Sequence, residues 1–476
     1  MAFNSIEYLT FLIGVVVLFR CTKGSLRLCV LMLASYYFYA RWNEKYLFLI
    51  IFSTFLDYFC ALWIDRKQQS KKLFLMISLI GNCSMLFFFK YYGFFSDTAQ
   101  HIAEILGRPL YLPILELLLP VGISFYTLQT MSYSLDVYRG KIKAEKNFLC
   151  FAVYVANFPQ LVAGPIEKAG ALLPQIHNPK AFNEPDVKNG SQLILWGLFK
   201  KVVVADRLAA FVEWAFDANL THSNEIMFIA GFMANLLIYA DFSAYADIAK
   251  GSAKLMGIEL MNNFNFPLFS RSMPDFWKRW HVSLHQFFLD YVYFPLGGGR
   301  VNWGRRIFNI WMVFILSGLW HGAAWNFVLW SIFHFLLVMI HILFMLSLKK
   351  LSIGLPKNVF MTVVQITLVH FQRAMSMYLF FMPDWEKALG VMLGFVTKPW
   401  LGVSGFQTPY VPFVLILTFG FPMLLMLLEA IHIKKSLTIR ASHMPRALRW
   451  FAYYGMIFCI MIFGVETNNP FIYFQF

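Results

Sequence analysis

Charge is what this 476-residue chain has least of: 14% of its residues are Asp, Glu, Lys or Arg, against about 25% in an ordinary soluble domain. With 59% of residues hydrophobic and 19% aromatic, so few charges cannot cover a soluble surface, and the composition is that of a polytopic membrane protein. The chain also lacks a Gly/Ser-rich linker, a long polar tract and an obvious internal repeat. It therefore reads as one integral membrane domain over residues 1–476, with ten to thirteen spanning or half-spanning helices at roughly 20 residues per span plus connections. Its six cysteines (Cys21, Cys29, Cys60, Cys83, Cys150, Cys459) form no CxxC pair. They read as small buried hydrophobes, so neither a resident metal nor a bound cofactor is expected. The first apolar run, Ile6 to Leu18, has no basic residue before it, so it reads as a retained helix and not a signal peptide.

Acids are scarcer than bases, 25 against 40, leaving a net charge of +15, and the excess is not evenly spread. The gaps after the first, third and fifth apolar runs (Arg20 to Arg27, Asp65 to Lys72, Arg139 to Lys146) each carry +3, whereas those after the second and fourth carry +1 and −1. Short cytoplasmic loops retain Lys and Arg, so this alternation places the N-terminus outside. Lys434 to Arg449 carries five bases and no acid ahead of a last apolar run, Trp450 to Gly464, which places the C-terminus outside as well. A basic inner face meets anionic lipid and would attract a polyanionic cytosolic donor such as a coenzyme A thioester. Because the charges are tied to helix ends, nucleic acid is not an expected partner.

The middle of the chain is less regular. In FPQLVAGPIEK, Pro159 and Gly164-Pro165 interrupt an apolar segment, and only protein or a cavity can satisfy such backbone at membrane depth, so a re-entrant loop is expected. LILWGLFKKVVVADR reads as a helix ending in Lys200 and Lys201. In IYADFSAYADIAKG, Asp241, Ser243 and Asp247 interrupt an apolar helix and should face a partner or a polar path. From Asn262 to Arg306 bases frame aromatics without a clean span, as in amphipathic helices lying at the cytoplasmic interface. Gly297-Gly298-Gly299 allows a sharp turn there.

Two histidines stand out, His281 in DFWKRWHVSL and His321 in SGLWHGAAWNFVLW. Imidazole can take a proton from a hydroxyl near neutrality, so the pair suggests buried acid–base chemistry. From Arg306, the run Ile307 to Trp320 is about 21 Å of helix against a core about 30 Å thick, so His321 is reached before the far surface. Gly318 and Gly322 are expected to permit a bend there. Forty-residue spacing without supporting carboxylates argues against a metal at this pair.

The segments DFWKRWHVSLHQFFLDYVYFPLGG, LSGLWHGAAWNFVLWSIFHF, FPQLVAGPIE and PFIYFQF together resemble the membrane-bound O-acyltransferase (MBOAT) family. The likeness is to its bacterial branch, typified by the alginate O-acetyltransferase membrane subunit and related to the D-alanyl transfer protein of teichoic acid modification. It is strongest from Phe158 to Trp330, with a motif-bearing core about 150–345. It implies an all-α helical ring with re-entrant and interfacial helices around a central acyl-transfer tunnel, in the bacterial inner membrane. By position, His321 matches the principal catalytic histidine and His281 the second active-site position. In that frame Trp280 and Trp320 would wall the tunnel, while Lys278 and Arg279 would attract donor phosphates at its mouth. Asp290 and His285, near the second motif, read as structural.

The resemblance implies acetyl transfer from acetyl-CoA toward an exported or cell-envelope polysaccharide, finished by a periplasmic or extracellular esterase-like partner. Tyr473, between Ile472 and Phe474, would relay the group as a phenolic ester, because a phenol leaves more readily than an alkyl alcohol. Two other readings stay open: D-alanyl transfer from a carrier protein, and a transporter or flippase whose histidines relay protons.

Overall fold

The computed structural model describes residues 1–115, 117–217, 219–405, 407–432, 445–465 and 471–472. No strand occurs among them. Six helices are long and apolar enough to cross a membrane: Glu44–Arg66, Lys71–Ile105, Asn224–Leu255, Trp325–Lys350, Pro412–Ile431 and Arg446–Phe463. Others are shorter: Ile6–Cys21 has 16 residues and Gly24–Ala40 has 17, about 24–26 Å of helix, less than a full 30 Å core. The chain is a multi-pass membrane protein. Its internal contacts group into two compact units, Met1–Ile194 with Ala246–Met261, and Leu195–Tyr245 with Asn262–Ile472.

In the first unit, helices are tied by polar groups rather than by the hydrophobic effect, which has little to offer between surfaces already facing lipid. Asp57, on helix Leu47–Arg66, is fully buried and accepts hydrogen bonds from Ser78, from Asn82 Nδ2 at 2.8 Å and from Ser134 Oγ at 2.8 Å. Three helices thus share one carboxylate. The expected re-entrant segment is an irregular buried stretch between helices Phe148–Ala156 and Ala169–His177. Protein groups meet its backbone: Ser35 Oγ accepts from the Phe158 N–H at 3.1 Å, and Gln160 O accepts from the Gly164 N–H at 2.9 Å. The fourth apolar run extends beyond Ser96, because a π-helical turn at Phe87–Tyr91 carries the helix on to Ile105.

The second unit corrects two expectations. Lys200 and Lys201 do not end a helix. They lie in a π-helical turn, Phe199–Ala205, that joins Glu184–Leu198 to Asp206–Ala215, and both are 2% exposed. Lys200 Nζ donates to Ser243 Oγ at 2.8 Å, and Lys201 Nζ lies 2.8 Å from both Asp206 Oδ1 and Asp241 Oδ1. Asp241 and Ser243 of helix Asn224–Leu255 therefore meet partners in this turn and are paired groups. Gly318 is not a bend either: helix Trp303–His321 runs through it. A Cβ at Gly318 would come within 2.6 Å of Phe327 O and Ser331 Cβ, so the glycine lets helix Trp325–Lys350 approach closely.

Candidate active site

The site is built where four segments of the second unit converge. Asn302 caps helix Trp303–His321, its Oδ1 accepting from the Arg305 N–H at 2.9 Å, and the helix ends on His321, where Gly322 takes an extended conformation. The preceding triple glycine makes the expected sharp turn, with φ of 102° at Gly297 and 59° at Gly298, held by Asn309 Nδ2 donating to Gly298 O at 3.0 Å. His281 lies between the short helices Met273–Arg279 and Val282–Phe288. Its φ of 44° is left-handed, a conformation that non-glycine residues keep only when their surroundings over-determine it. Asn263 supplies that constraint. Its carbonyl accepts from the Val282 N–H at 2.9 Å, and its Oδ1 accepts from the Ser283 N–H at 3.2 Å and Oγ at 2.8 Å.

His281 and His321 are 1% and 2% exposed, and one indole is in ring contact with both. The Trp320 ring centroid is 5.4 Å from that of His281 and 4.9 Å from that of His321, so the imidazoles lie within about 10 Å of each other. Phe242 closes the His281 side at 4.8 Å; Trp330 at 5.0 Å and Phe380 at 5.5 Å close the His321 side. A cavity of about 260 Å³ opens on His281, lined also by Trp280, His285, Ser317 and the exposed Lys278. Neither His321 nor Trp320 is part of its lining. Arg279 is held by Asp275, Nε to Oδ1 at 2.8 Å. Tyr473 lies outside the described residues.

Sequence reasoning missed three residues of this neighbourhood. His334, 1% exposed, lies 4.6 Å from Trp330 and 5.2 Å from Trp277 by ring centroids. Neither of its ring nitrogens has a hydrogen-bond partner among the described residues. Arg373, 2% exposed, stacks its guanidinium over Phe276 at 4.1 Å and Trp280 at 4.7 Å, fixing the wall beside His281 by cation–π attraction. Asn263 is the third. A charged residue in the apolar run Val359–Phe381 was the available signal for Arg373.

Burial pushes His281 down to about 3, and burial followed by the nearby Lys278 charge pushes His285 down to about 4. Both rings are neutral at pH 7. The unfolded chain takes up these protons near pH 6.5, above the folded values, so the folded state binds fewer protons in that window and stability is lost as the pH is lowered through it. Thermal unfolding of the purified protein in lipid nanodiscs is expected to shift to lower temperature between pH 6.5 and 4. His281→Asn with His285→Asn should flatten the profile, and a profile with the same slope in both proteins would count against this assignment.

Elsewhere, Glu145, Cys150 and His177 bring their ligand atoms within 4.8 Å of one another. The carboxylate is already engaged by His177 Nε2 at 2.8 Å and the Asn147 N–H at 2.7 Å, and Cys150 is fully buried.

Two buried histidines thus lie in an aromatic cage, one of them on an apolar cavity, within a multi-pass helical protein. Residues 139–381 match the membrane-bound O-acyltransferase family, and the chain belongs to that family and is an acyltransferase. It is 35% identical to the peptidoglycan O-acetyltransferase of Helicobacter pylori over 399 residues, which is 77% of this chain and 73% of that one. The probable alginate O-acetylase AlgI of Pseudomonas aeruginosa is 36% identical over 309 residues, 64% of this chain and 59% of that one. The teichoic acid D-alanyltransferase of Bacillus subtilis is 25% identical over 274 residues, 55% and 68% of the two chains.

Proposed function

We propose that this protein transfers an acetyl group from cytoplasmic acetyl-CoA across the bacterial inner membrane, toward O-acetylation of a cell-envelope polysaccharide, with a secreted esterase-like partner completing the transfer. Both termini would lie outside. The observation that carries this reading is the pair of buried histidines that both contact Trp320, one of them opening onto an apolar cavity with an exposed lysine in its lining. At about 260 Å³ the cavity is below the range of roughly 300–1,000 Å³ for drug-sized sites. It suits a thin linear arm such as that of a pantetheine thioester. Lys278 stands where a donor phosphate would arrive, and a second cavity of about 730 Å³ is lined by Arg271, Lys349 and Lys357, a further cationic surface for a polyanion.

In the reaction, the acceptor hydroxyl oxygen forms a bond to the thioester carbonyl carbon while His321 takes its proton. Collapse of the tetrahedral intermediate breaks the carbon–sulfur bond, and the departing thiolate recovers the proton from His321. His281, neutral, donates a hydrogen bond to the oxyanion in between. Trp280 and Trp320 wall the reacting groups, and Arg373 keeps Trp280 in place. Tyr473 serves as the first acceptor on the outer side, carrying the acetyl group as a phenolic ester to the partner. The similarity to a teichoic acid D-alanyltransferase supports a second reading, D-alanyl transfer from a carrier protein by the same chemistry.

The test is radiolabel transfer by purified protein in liposomes with the secreted partner supplied. Label from acetyl-CoA is expected on the protein and then on the polysaccharide, and Tyr473→Phe should abolish both. Unchanged transfer in Tyr473→Phe would remove the relay, and label arriving only from a D-alanyl carrier would replace the donor.

A further inference from the structure

Lys201, Asp206 and Asp241 form a buried ionic triad that the chemistry above does not use. Each is at most 2% exposed, and Lys201 Nζ bridges the two carboxylates at 2.8 Å each. Desolvating three charges is costly unless every charge is well satisfied, and one cation between two anions leaves a negative excess. The excess is met by a segment more than 200 residues away in sequence. Asp241 Oδ2 accepts the backbone N–H of Ile472 at 2.8 Å, and Lys201 Nζ sits 4.5 Å above the Phe471 ring. Tyr245 adds an edge-on contact to the same ring at 5.5 Å, and Phe471 and Ile472 are 1% and 9% exposed. Asp241 thus spends one oxygen on the lysine and the other on a main-chain amide, a contact that reads no side chain but fixes where the backbone runs.

Arg207, next to the triad, donates from Nη2 to Phe463 O at 2.6 Å, and the Val465 N–H donates to Val202 O at 3.2 Å. The end of helix Arg446–Phe463 is therefore pinned to the same π-helical turn that carries Lys201. Such turns recur where a helix places side chains for a task other than holding itself together. Here Val202 and Lys201 of the turn contact residues 465 and 471, while Arg207 and Asp241 beside it hold residues 463 and 472.

We infer that the Lys201–Asp206–Asp241 triad is a dock for the segment at Phe471–Ile472, and that these three are positioning residues which present the adjacent Tyr473 from a fixed anchor. The inference rests on the reading of Tyr473 as the acetyl relay. A tethered acceptor attacks at a rate set by how narrowly its position is held. A loosened segment would leave the His321 chemistry intact and lower only delivery through the tyrosine.

The test combines hydrogen–deuterium exchange over residues 465–476 with two acetyl-transfer assays, one to a small alcohol and one to the secreted partner. Two variants are compared with the full wild-type chain in nanodiscs. Asp241→Asn weakens the anchor from the buried side. Ile472→Pro deletes the single N–H that Asp241 accepts and leaves the triad untouched, so it remains informative where Asp241→Asn folds poorly. Losing a hydrogen bond to a charged group should raise segment exchange about tenfold. Label reaching the partner should fall, while His321-dependent acetyl transfer to the alcohol persists. Exchange equal to wild type in folded Ile472→Pro overturns the dock, whatever Tyr473→Phe does. Faster exchange together with a fully active Tyr473→Phe upholds the dock as a contact and discards the relay on which its role was based.

Discussion

His321→Gln loses acetyl transfer by about 10²–10⁴-fold, the range for removing a positioned general base, with the protein still folded. Glutamine is the informative replacement because His321 is packed between Trp320, Trp330 and Phe380. Alanine there would open a cavity and mix instability with lost chemistry. Glutamine keeps most of the volume and a hydrogen-bonding group but cannot accept a proton near neutral pH. The measurement is initial rate against acetyl-CoA concentration at matched folded protein. The loss should appear in kcat, with KM little changed, because His321 is not among the residues that line the cavity. His334→Gln provides the contrast: equally buried, but set between Trp277 and Trp330, it has no assigned proton to move and should stay within a few fold of wild type. Equal rates in His321→Gln and wild type would remove His321 from the chemistry.

Lys201→Ala is expected to destabilise the protein by about 3–5 kcal/mol, the cost of breaking a buried ion pair from one side. The two carboxylates it bridges at 2.8 Å would be left buried together with no cation, so their mutual repulsion adds to the lost attraction. Membrane proteins of this size unfold irreversibly, so the observable is the half-life of folded protein in nanodiscs at a fixed elevated temperature. A triple replacement, Lys201→Met with Asp206→Asn and Asp241→Asn, removes all three charges at similar volume. It should recover most of the half-life, since replacing a whole buried ionic group is often near neutral. A Lys201→Ala half-life within twofold of wild type would show that the triad contributes little to stability.

The contrast between the histidines and the lysines shows what the chain reveals before folding. His281 and His321 were legible because each interrupts a local pattern, one among interfacial aromatics and the other at the end of an apolar run. The turn at Gly297–Gly299 and the irregular stretch around Pro159 were legible for the same reason. Lys200 and Lys201 were misread, since a basic pair after an apolar run has the appearance of a helix end at the membrane surface. What overrides that signal lies 40 and 43 residues further on, in Asp241 and Ser243, and separation of that kind leaves no periodic trace. Gly318 misled in a related way: glycine permits a bend and equally permits close helix contact, and only the position of Ser331 decides which. His334 was passed over because it falls within a long apolar helix, Trp325–Lys350, with nothing nearby to break the pattern.

Trp320 has a consequence beyond spacing two imidazoles. On the proposed function, a protein that receives a thioester from the cytosol and an acceptor from outside would also be a route by which ions could short-circuit an energised membrane. The 6% exposed Trp320 indole packs against both His281 and His321, so apolar surface takes up space beside each imidazole that water would otherwise fill. On the proposed reading, the side chain that meets both catalytic imidazoles would also serve as electrical insulation for the site between turnovers.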